Sequence, residues 1–360
     1  MRLRTGHQLL HCEGSEATSS MVPEEMIRRQ IQPNEIHKLI YCGIEKAGST
    51  FWRRFLQCLS KRIVQSPFKI KPENVIRNNI DVKKTGLVKI LGLLQSSTKF
   101  TFVRNPYTRL LSGYVDKIYS PNPYYWKLGA KAVRLSRRVT FPCGHDTTFN
   151  EFVDYIIYVQ NNRKERDEHF IPGHELCIPC QIHYDIIGKM ETFANDTFYI
   201  LEKLNLTEYV PHLKDFKRQS ALDAIYDVSQ AYIAFRKEAS RCLKYEDSLK
   251  RIWRKLQIRG LISDQIKFPF SVNDAKYISN SEFSIKLIEA HKQSQKYDLK
   301  TLKRNYLIDA YNMIPLQTMF KLAEVYKLDF KIFDYEMFPE YLFRNRTDYV
   351  SNNIFSIINL

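Results

Sequence analysis

Residues 1–20 contain no apolar core of signal-peptide or membrane-anchor length, so the chain as written reads as soluble. No segment repeats, which excludes solenoid and propeller architectures. No recognisable nucleic-acid-binding module is present, so that class has only net charge in its favour and no nucleic-acid partner is expected. The full G-x-x-x-x-G-K-[ST] pattern is also missing, which disfavours a nucleotide P-loop kinase. Only one close cysteine pair occurs, Cys177-Ile-Pro-Cys180, flanked by His169, His174 and His183. Without a second pair to complete a four-ligand set, no metal is expected, and structural disulfides to Cys143 or Cys242 are the preferred reading for a secreted chain. Cys42 and Cys58 sit in apolar strand and helix patterns and read as buried free thiols.

What the chain does contain is material for a sizeable core: 360 residues, 44% of them hydrophobic. Lysine and arginine outnumber aspartate and glutamate by 55 to 39, a formal charge of +16, which favours polyanionic partners. Residues 1–35 are polar and turn-rich and read as a flexible tail, followed by one domain over residues 36–340 and a C-terminal tail over 341–360. Three N-x-[ST] sequons, at Asn195, Asn205 and Asn345, are compatible with a lumenal glycoprotein.

The most informative stretch is residues 40–52. A short apolar run, residues 38–43, ends in glycine as a buried parallel strand does. Ser49 or Thr50 can cap a helix whose Phe51, Trp52, Phe55, Leu56 and Leu59 recur at helical spacing. The helix start offers backbone N–H groups and a positive dipole end, and Lys46 adds a cation, together an anion cradle. A second strand over residues 99–104 ends at Arg104, is broken by Asn105-Pro106, and leads into a helix from Tyr107 to Tyr119 that carries Ser112. Arg104 and Ser112 can converge on a phosphate; taken alone, Arg104 could equally pair with a helix-terminal carboxylate. Two strand–turn–helix units in succession argue for an α/β fold with a central parallel sheet flanked by helices. A third strand is expected over residues 184–191. Helices are expected over residues 87–94, 148–158, 196–204, 222–257, 281–303 and 316–334, the last packing back on the sheet. Residues 127–138 read as basic and exposed, and 260–280 as a loop.

Together the two anchors resemble the cofactor-binding segments of sulfotransferases that use 3′-phosphoadenosine 5′-phosphosulfate (PAPS). Glu45-Lys-Ala-Gly-Ser-Thr-Phe-Trp52 is similar to their 5′-phosphosulfate loop, and Arg104 with Ser112 to their 3′-phosphate site. Further blocks resemble the Golgi carbohydrate sulfotransferases of the chondroitin, dermatan and HNK-1 group, in the same order: residues 149–155, His169-Phe-Ile-Pro172, Leu176-Cys-Ile-Pro-Cys180, residues 184–191 and residues 326–335. The likeness spans about residues 36–338. It implies the sulfotransferase fold with its P-loop-like turn, PAPS as donor, no metal, a chondroitin- or dermatan-like glycan acceptor, acidic or neutral, and a Golgi lumenal enzyme. Membrane association follows from the resemblance only.

The cofactor-binding residues it implies are Lys46, Ala47, Gly48, Ser49, Thr50, Phe51, Arg104 and Ser112. Lys46 is implied as the catalytic cation and His169 as the base, with Glu45 and His174 as further candidates for the base; His169 could equally be a packed histidine. N-acetylgalactosamine 4-O-sulfation is the first expectation and glucuronate 3-O-sulfation the next. A lapsed enzyme that binds glycosaminoglycan without turnover is the alternative. Departures from the group's pattern are Glu45 in place of its usual proline, Asn105 in place of aspartate, a longer stretch over residues 246–315 with no role assigned, and the missing anchor typical of type II Golgi proteins.

Overall fold

The computed structural model describes Cys12 and residues 23–75, 86–137, 139, 143–344, 353–358 and 360. Two compact units divide it: Met1–Arg109 with Arg166–Ser220 and Tyr326–Met337, and Leu110–Glu165 with Ala221–Val325 and Phe338–Leu360.

The first unit is built on a four-stranded sheet of β1 (Ile31–Asn34), β2 (Leu39–Cys42), β3 (Thr98–Val103) and β4 (Ile186–Lys189), in that spatial order. β2, β3 and β4 run parallel as expected, but β1 pairs antiparallel with β2, so the sheet is mixed. The cause is local: β1 and β2 are joined by a tight turn in which Asn34 Oδ1 accepts the His37 N–H at 3.0 Å, and so short a link allows only antiparallel pairing. Pro33, which has no N–H to give, is tolerated because β1 is an edge strand. The expected N-terminal tail therefore stops short of residue 35. Helix Glu24–Gln30 precedes β1 and buries Met26 and Ile27.

Side chains alternate along the strands and divide the core in two. Ile40, Cys42, Val103 and Ile187 join a cluster with Ile27, Ile90, Leu176 and Phe333, drawn from segments that include helices Glu24–Gln30, Leu87–Ser96 and Gly173–Cys177. Leu39, Tyr41, Phe100, Phe102 and Ile186 join Trp52, Phe55, Leu56, Ile200 and Leu201 of helices Ser49–Ser60 and Phe193–Lys203. A sheet covered on both faces explains why its strands read as nearly continuous apolar runs. The expected closing helix is two: Leu316–Val325 belongs to the second unit, whereas Lys327–Ile332 contributes Leu328 and Ile332 to the core of the first.

The second unit is helical. Residues 127–138, expected to be basic and exposed, fall on helix Pro123–Arg137, which buries Trp126, Leu128, Ala132 and Val133 and packs on Phe149–Asn162; its basic residues occupy the outer face, and Arg138 lies outside the described residues. Phe149–Asn162 starts with a capping box in which Thr148 and Glu151 satisfy each other's backbone N–H groups. The helix expected over 222–257 is interrupted between Phe216–Ala239 and Tyr245–Ile258, and that over 281–303 between Asn280–Ser294 and Leu299–Asn312, which Asp298 caps. The expected loop at 260–280 holds a further short helix, Val272–Tyr277. Leu249, Ile252, Trp253, Leu256, Ile262, Phe283 and Leu287 of the 246–315 stretch form a core together with Ile225, Val228 and Tyr232 of helix Phe216–Ala239.

Cysteine pairing departs from expectation. Cys42 is bonded to Cys177, Cys12 to Cys180 and Cys143 to Cys242; Cys58 alone keeps a free, buried thiol. Apolar periodicity registers that Cys42 is buried but not what it faces, and Cys177 faces it because the Gly173–Cys177 helix covers that side of β2. Three cross-links over long loops suit an oxidising compartment. A non-reducing peptide map should show these three pairs with Cys58 as the single alkylatable thiol. Replacing Cys42 and Cys177 by serine should lower the stability of the first unit by about 2–5 kcal/mol in denaturant titrations.

Candidate functional site

The first unit presents the carboxyl ends of β2, β3 and β4, where ligands of open α/β sheets gather. From β2 the chain enters a loop, residues 43–48, in which Lys46 and Gly48 both adopt positive φ, 67° and 81°. Glycine is required at the second of these positions, because a Cβ there would come within 2.6 Å of the Phe193 ring. Two left-handed residues in three fold the backbone so that its N–H groups can face a common point, a concavity suited to anions. Gly48 is itself the cap of helix Ser49–Ser60, with no side-chain cap bond, so neither Ser49 nor Thr50 plays the expected capping part. The helical ladder begins with Trp52 N–H donating to Gly48 O at 3.2 Å, which puts the amides of Ser49, Thr50 and Phe51 ahead of it.

Of the expected donor-site residues, Lys46 is half-buried, Thr50 exposed, and Ala47 and Ser49 buried. The Phe51 ring lies in the aromatic cluster with Trp52, Phe68, Phe193 and Phe216, so this residue can offer the site only its backbone. Arg104, at the end of β3, reaches the loop: its Nη1 donates to Lys46 O at 3.3 Å and its Nε to Thr108 Oγ1 at 3.1 Å. Ser112 is half-buried on helix Pro106–Tyr114, in the part that belongs to the second unit. Asn105 keeps the role an aspartate would have there, since its Oδ1 accepts the Tyr107 and Thr108 N–H groups at 3.0 and 3.3 Å.

Glu45 does not leave an uncompensated negative charge beside the cradle. Its carboxylate is buried in an ion pair with Arg53 and accepts the Ser49 hydroxyl at 2.9 Å. Burial alone would raise its pKa, but the Arg53 charge and hydrogen bond, with help from His169 and Ser49, hold the carboxyl down at about 2. So acidic a group is a poor proton acceptor near neutral pH, which argues against Glu45 as the base. The signal for this pairing was present in the sequence, eight residues apart, but only a helix beginning at Ser49 turns Arg53 back towards residue 45.

His169 is buried, with its Nδ1 2.7 Å from Asp167 Oδ1. A carboxylate at Nδ1 favours the tautomer with the proton there, leaving the Nε2 lone pair as the basic site. His174 is similarly tied by Nδ1 to Asp329 at 2.7 Å, and Asp329 also accepts the Gly173 and His174 N–H groups, so this pair secures the start of a short helix. Sequence reading missed Arg53, Asp167 and Arg109. Arg109 is buried and donates to three backbone carbonyls, those of Glu45, Glu168 and Ile171. Burial pushes its pKa down, opposed by Tyr326, Asp329, Glu45 and Asp167. Among the described residues, Cys143, His145 and Cys242 are grouped closely enough to suggest a metal, but the two sulfurs are bonded to each other and unavailable as thiolates.

Replacing Glu45 by glutamine should destabilise the protein by about 3–5 kcal/mol in denaturant titrations at neutral pH, because Arg53 is then left buried without its counter-charge. The sign of the pH effect follows from the depressed pKa. The stabilisation is fully present above the ordinary value of 4.5 and is lost as pH falls towards about 2, so the wild-type protein should weaken across that window and E45Q should not share this component.

The sulfotransferase family model matches residues 29–256. Among curated proteins, mouse carbohydrate sulfotransferase 11 is 34% identical over 202 residues, 51% of this chain and 57% of its own length. Zebrafish carbohydrate sulfotransferase 14 is 31% identical over 195 residues, 53% of this chain and 52% of its own. Human carbohydrate sulfotransferase 9 is 32% identical over 197 residues, 52% of this chain and 44% of its own. The chain spans about half the length of the curated relatives it matches. No solved structure matches it. The family match over residues 29–256, more than half of the chain, places it in the sulfotransferase family, with carbohydrate sulfotransferases as its relatives.

Proposed function

We propose that the protein transfers a sulfuryl group from PAPS to a hydroxyl of a glycan. The observation that carries this reading is the meeting of two segments 58 residues apart, in which the Arg104 guanidinium bonds to the carbonyl of Lys46 at the mouth of the left-handed loop. The residues present fit the donor: an anion-shaped loop at a helix start, a lysine within it and an arginine beside it suit a ligand with phosphate groups at both ends. The amides of residues 48–50 and the exposed Thr50 side chain would hold the 5′-phosphate, since the Ser49 hydroxyl, expected there too, is taken by Glu45 and the Ala47 N–H by Ile44 O, and Arg104 with Ser112 would hold the 3′-phosphate. PAPS supplies an activated sulfuryl group when bound.

The chain's own part is positioning and charge. In the transfer, the acceptor oxygen bonds to sulfur as the sulfur–oxygen bond to the 5′-phosphate breaks. Lys46 would neutralise the charge that develops on the departing bisphosphate oxygen. His169, with Nδ1 held by Asp167, would take the acceptor's proton at Nε2. The Glu45–Arg53 pair keeps the family's proline position from repelling the donor. For the acceptor, N-acetylgalactosamine 4-OH in chondroitin- or dermatan-type chains is the first choice and glucuronate 3-OH the second, in keeping with the charge of +16. A Golgi lumenal setting accords with the three disulfides. Among the described residues, no helix is long and apolar enough to cross a membrane.

Incubation with labelled PAPS and a panel of desulfated glycans, read by disaccharide analysis, should give labelled chondroitin- or dermatan-type product. K46A and R104A should each cut turnover by about a hundredfold or more. Adenosine 3′,5′-bisphosphate binding to the wild type with no transfer to any glycan would instead indicate a lapsed enzyme.

A further inference from the structure

Arg109 has no place in the donor site as the resemblance describes it, yet it is among the most completely buried charges of the first unit. Its guanidinium is satisfied by carbonyl oxygens: Nε donates to Glu45 O at 2.9 Å, Nη1 to Ile171 O at 2.6 Å and Nη2 to Glu168 O at 3.2 Å. Glu45 O belongs to the peptide that leads into Lys46, and Glu168 O to the peptide that leads into His169. One planar group therefore holds the backbone on both sides of the proposed reaction centre, the cation on one and the base on the other. The directions of a guanidinium's N–H bonds are fixed relative to one another, so three bonds in its plane fix the spacing of what they touch, as a lysine's rotating ammonium cannot. Two bonds fall on the base-bearing segment, on either side of His169, which restrains its tilt as well as its distance.

We propose that Arg109 is a positioning residue that sets the spacing of Lys46 and His169 and couples occupancy of the donor loop to the segment carrying the base. This rests on the sulfotransferase reading above. A helix residue bonded to the loop through its Nε and to the His169 segment through its Nη atoms transmits any tightening of the loop to residues 168–171. Burial lowers the pKa of the guanidinium, opposed by Tyr326, Asp329, Glu45 and Asp167.

The test uses the whole protein. In R109K, which keeps the charge but loses the fork, kcat per folded molecule should fall by about tenfold to a hundredfold. KM for PAPS should change much less, and the acid limb of the kcat–pH profile should move, since the base is displaced. A lowered Tm with unchanged kcat per folded molecule and an unmoved pH profile would reduce Arg109 to a structural residue and overturn the proposal.

A second measurement on the wild type does not depend on the variant folding. Adding adenosine 3′,5′-bisphosphate should slow hydrogen exchange in peptides covering residues 44–52 and also in those covering 166–172. Protection confined to residues 44–52 would overturn the coupling and leave the donor site standing. Absence of any bisphosphate binding would overturn the sulfotransferase reading together with this one.

Discussion

A backbone that turns left-handed at Lys46 and again at Gly48 is the constraint on which the rest of the first unit depends. Such a turn folds amides inwards and carbonyls outwards, and the outward carbonyls need partners of their own. Arginines supply them: Arg104 bonds to the carbonyl of Lys46 and Arg109 to that of Glu45, while Arg53 takes the Glu45 side chain. The loop's carbonyls are thus held by cations, and the same positive charges make its surroundings attractive to anions. Glu45 belongs to this scheme as the internal counter-charge of Arg53. The same position occupied by proline would need no such partner, so the glutamate and the arginine stand or fall together.

The parts of this arrangement that follow from short-range pattern were legible in the sequence. The apolar run before Gly43, the helical spacing of Phe51, Trp52, Phe55, Leu56 and Leu59, and the strand ending at Arg104 all correspond to elements of the fold. What escaped was what depends on three-dimensional partnership. Cys42 read as a free thiol because burial is periodic and disulfide pairing is not; its partner lies 135 residues away. Arg109 went unnoticed, since nothing in residues 105–112 tells that its neighbours are carbonyls of two distant loops. β1 and helix Glu24–Gln30 were lost in a polar segment because each is short, and their apolar residues make sense only against the cluster around Ile40 and Cys42.

The second unit shows a different limit. Its helices could be found by periodicity but not counted, because the breaks at residues 240–244 and 295–298 are marked by caps and a disulfide rather than by proline or glycine. The family match ends at residue 256, within helix Tyr245–Ile258, and the helices that follow share a buried core with that helix. The extra length is therefore folded material. Its aromatic and aliphatic residues, Trp253, Phe283 and Leu287 among them, account for their positions by packing alone.

Everything functional in this account rests on the loop at Lys46 receiving the phosphate end of a nucleotide. Amide-resolved NMR of the protein titrated with adenosine 3′,5′-bisphosphate tests that directly. The account predicts saturable shifts centred on the backbone amides of Ala47, Gly48, Ser49 and Thr50, with Arg104 following at the same midpoint. Shifts confined to other parts of the chain, or none at ligand concentrations that saturate an authentic sulfotransferase, would contradict it.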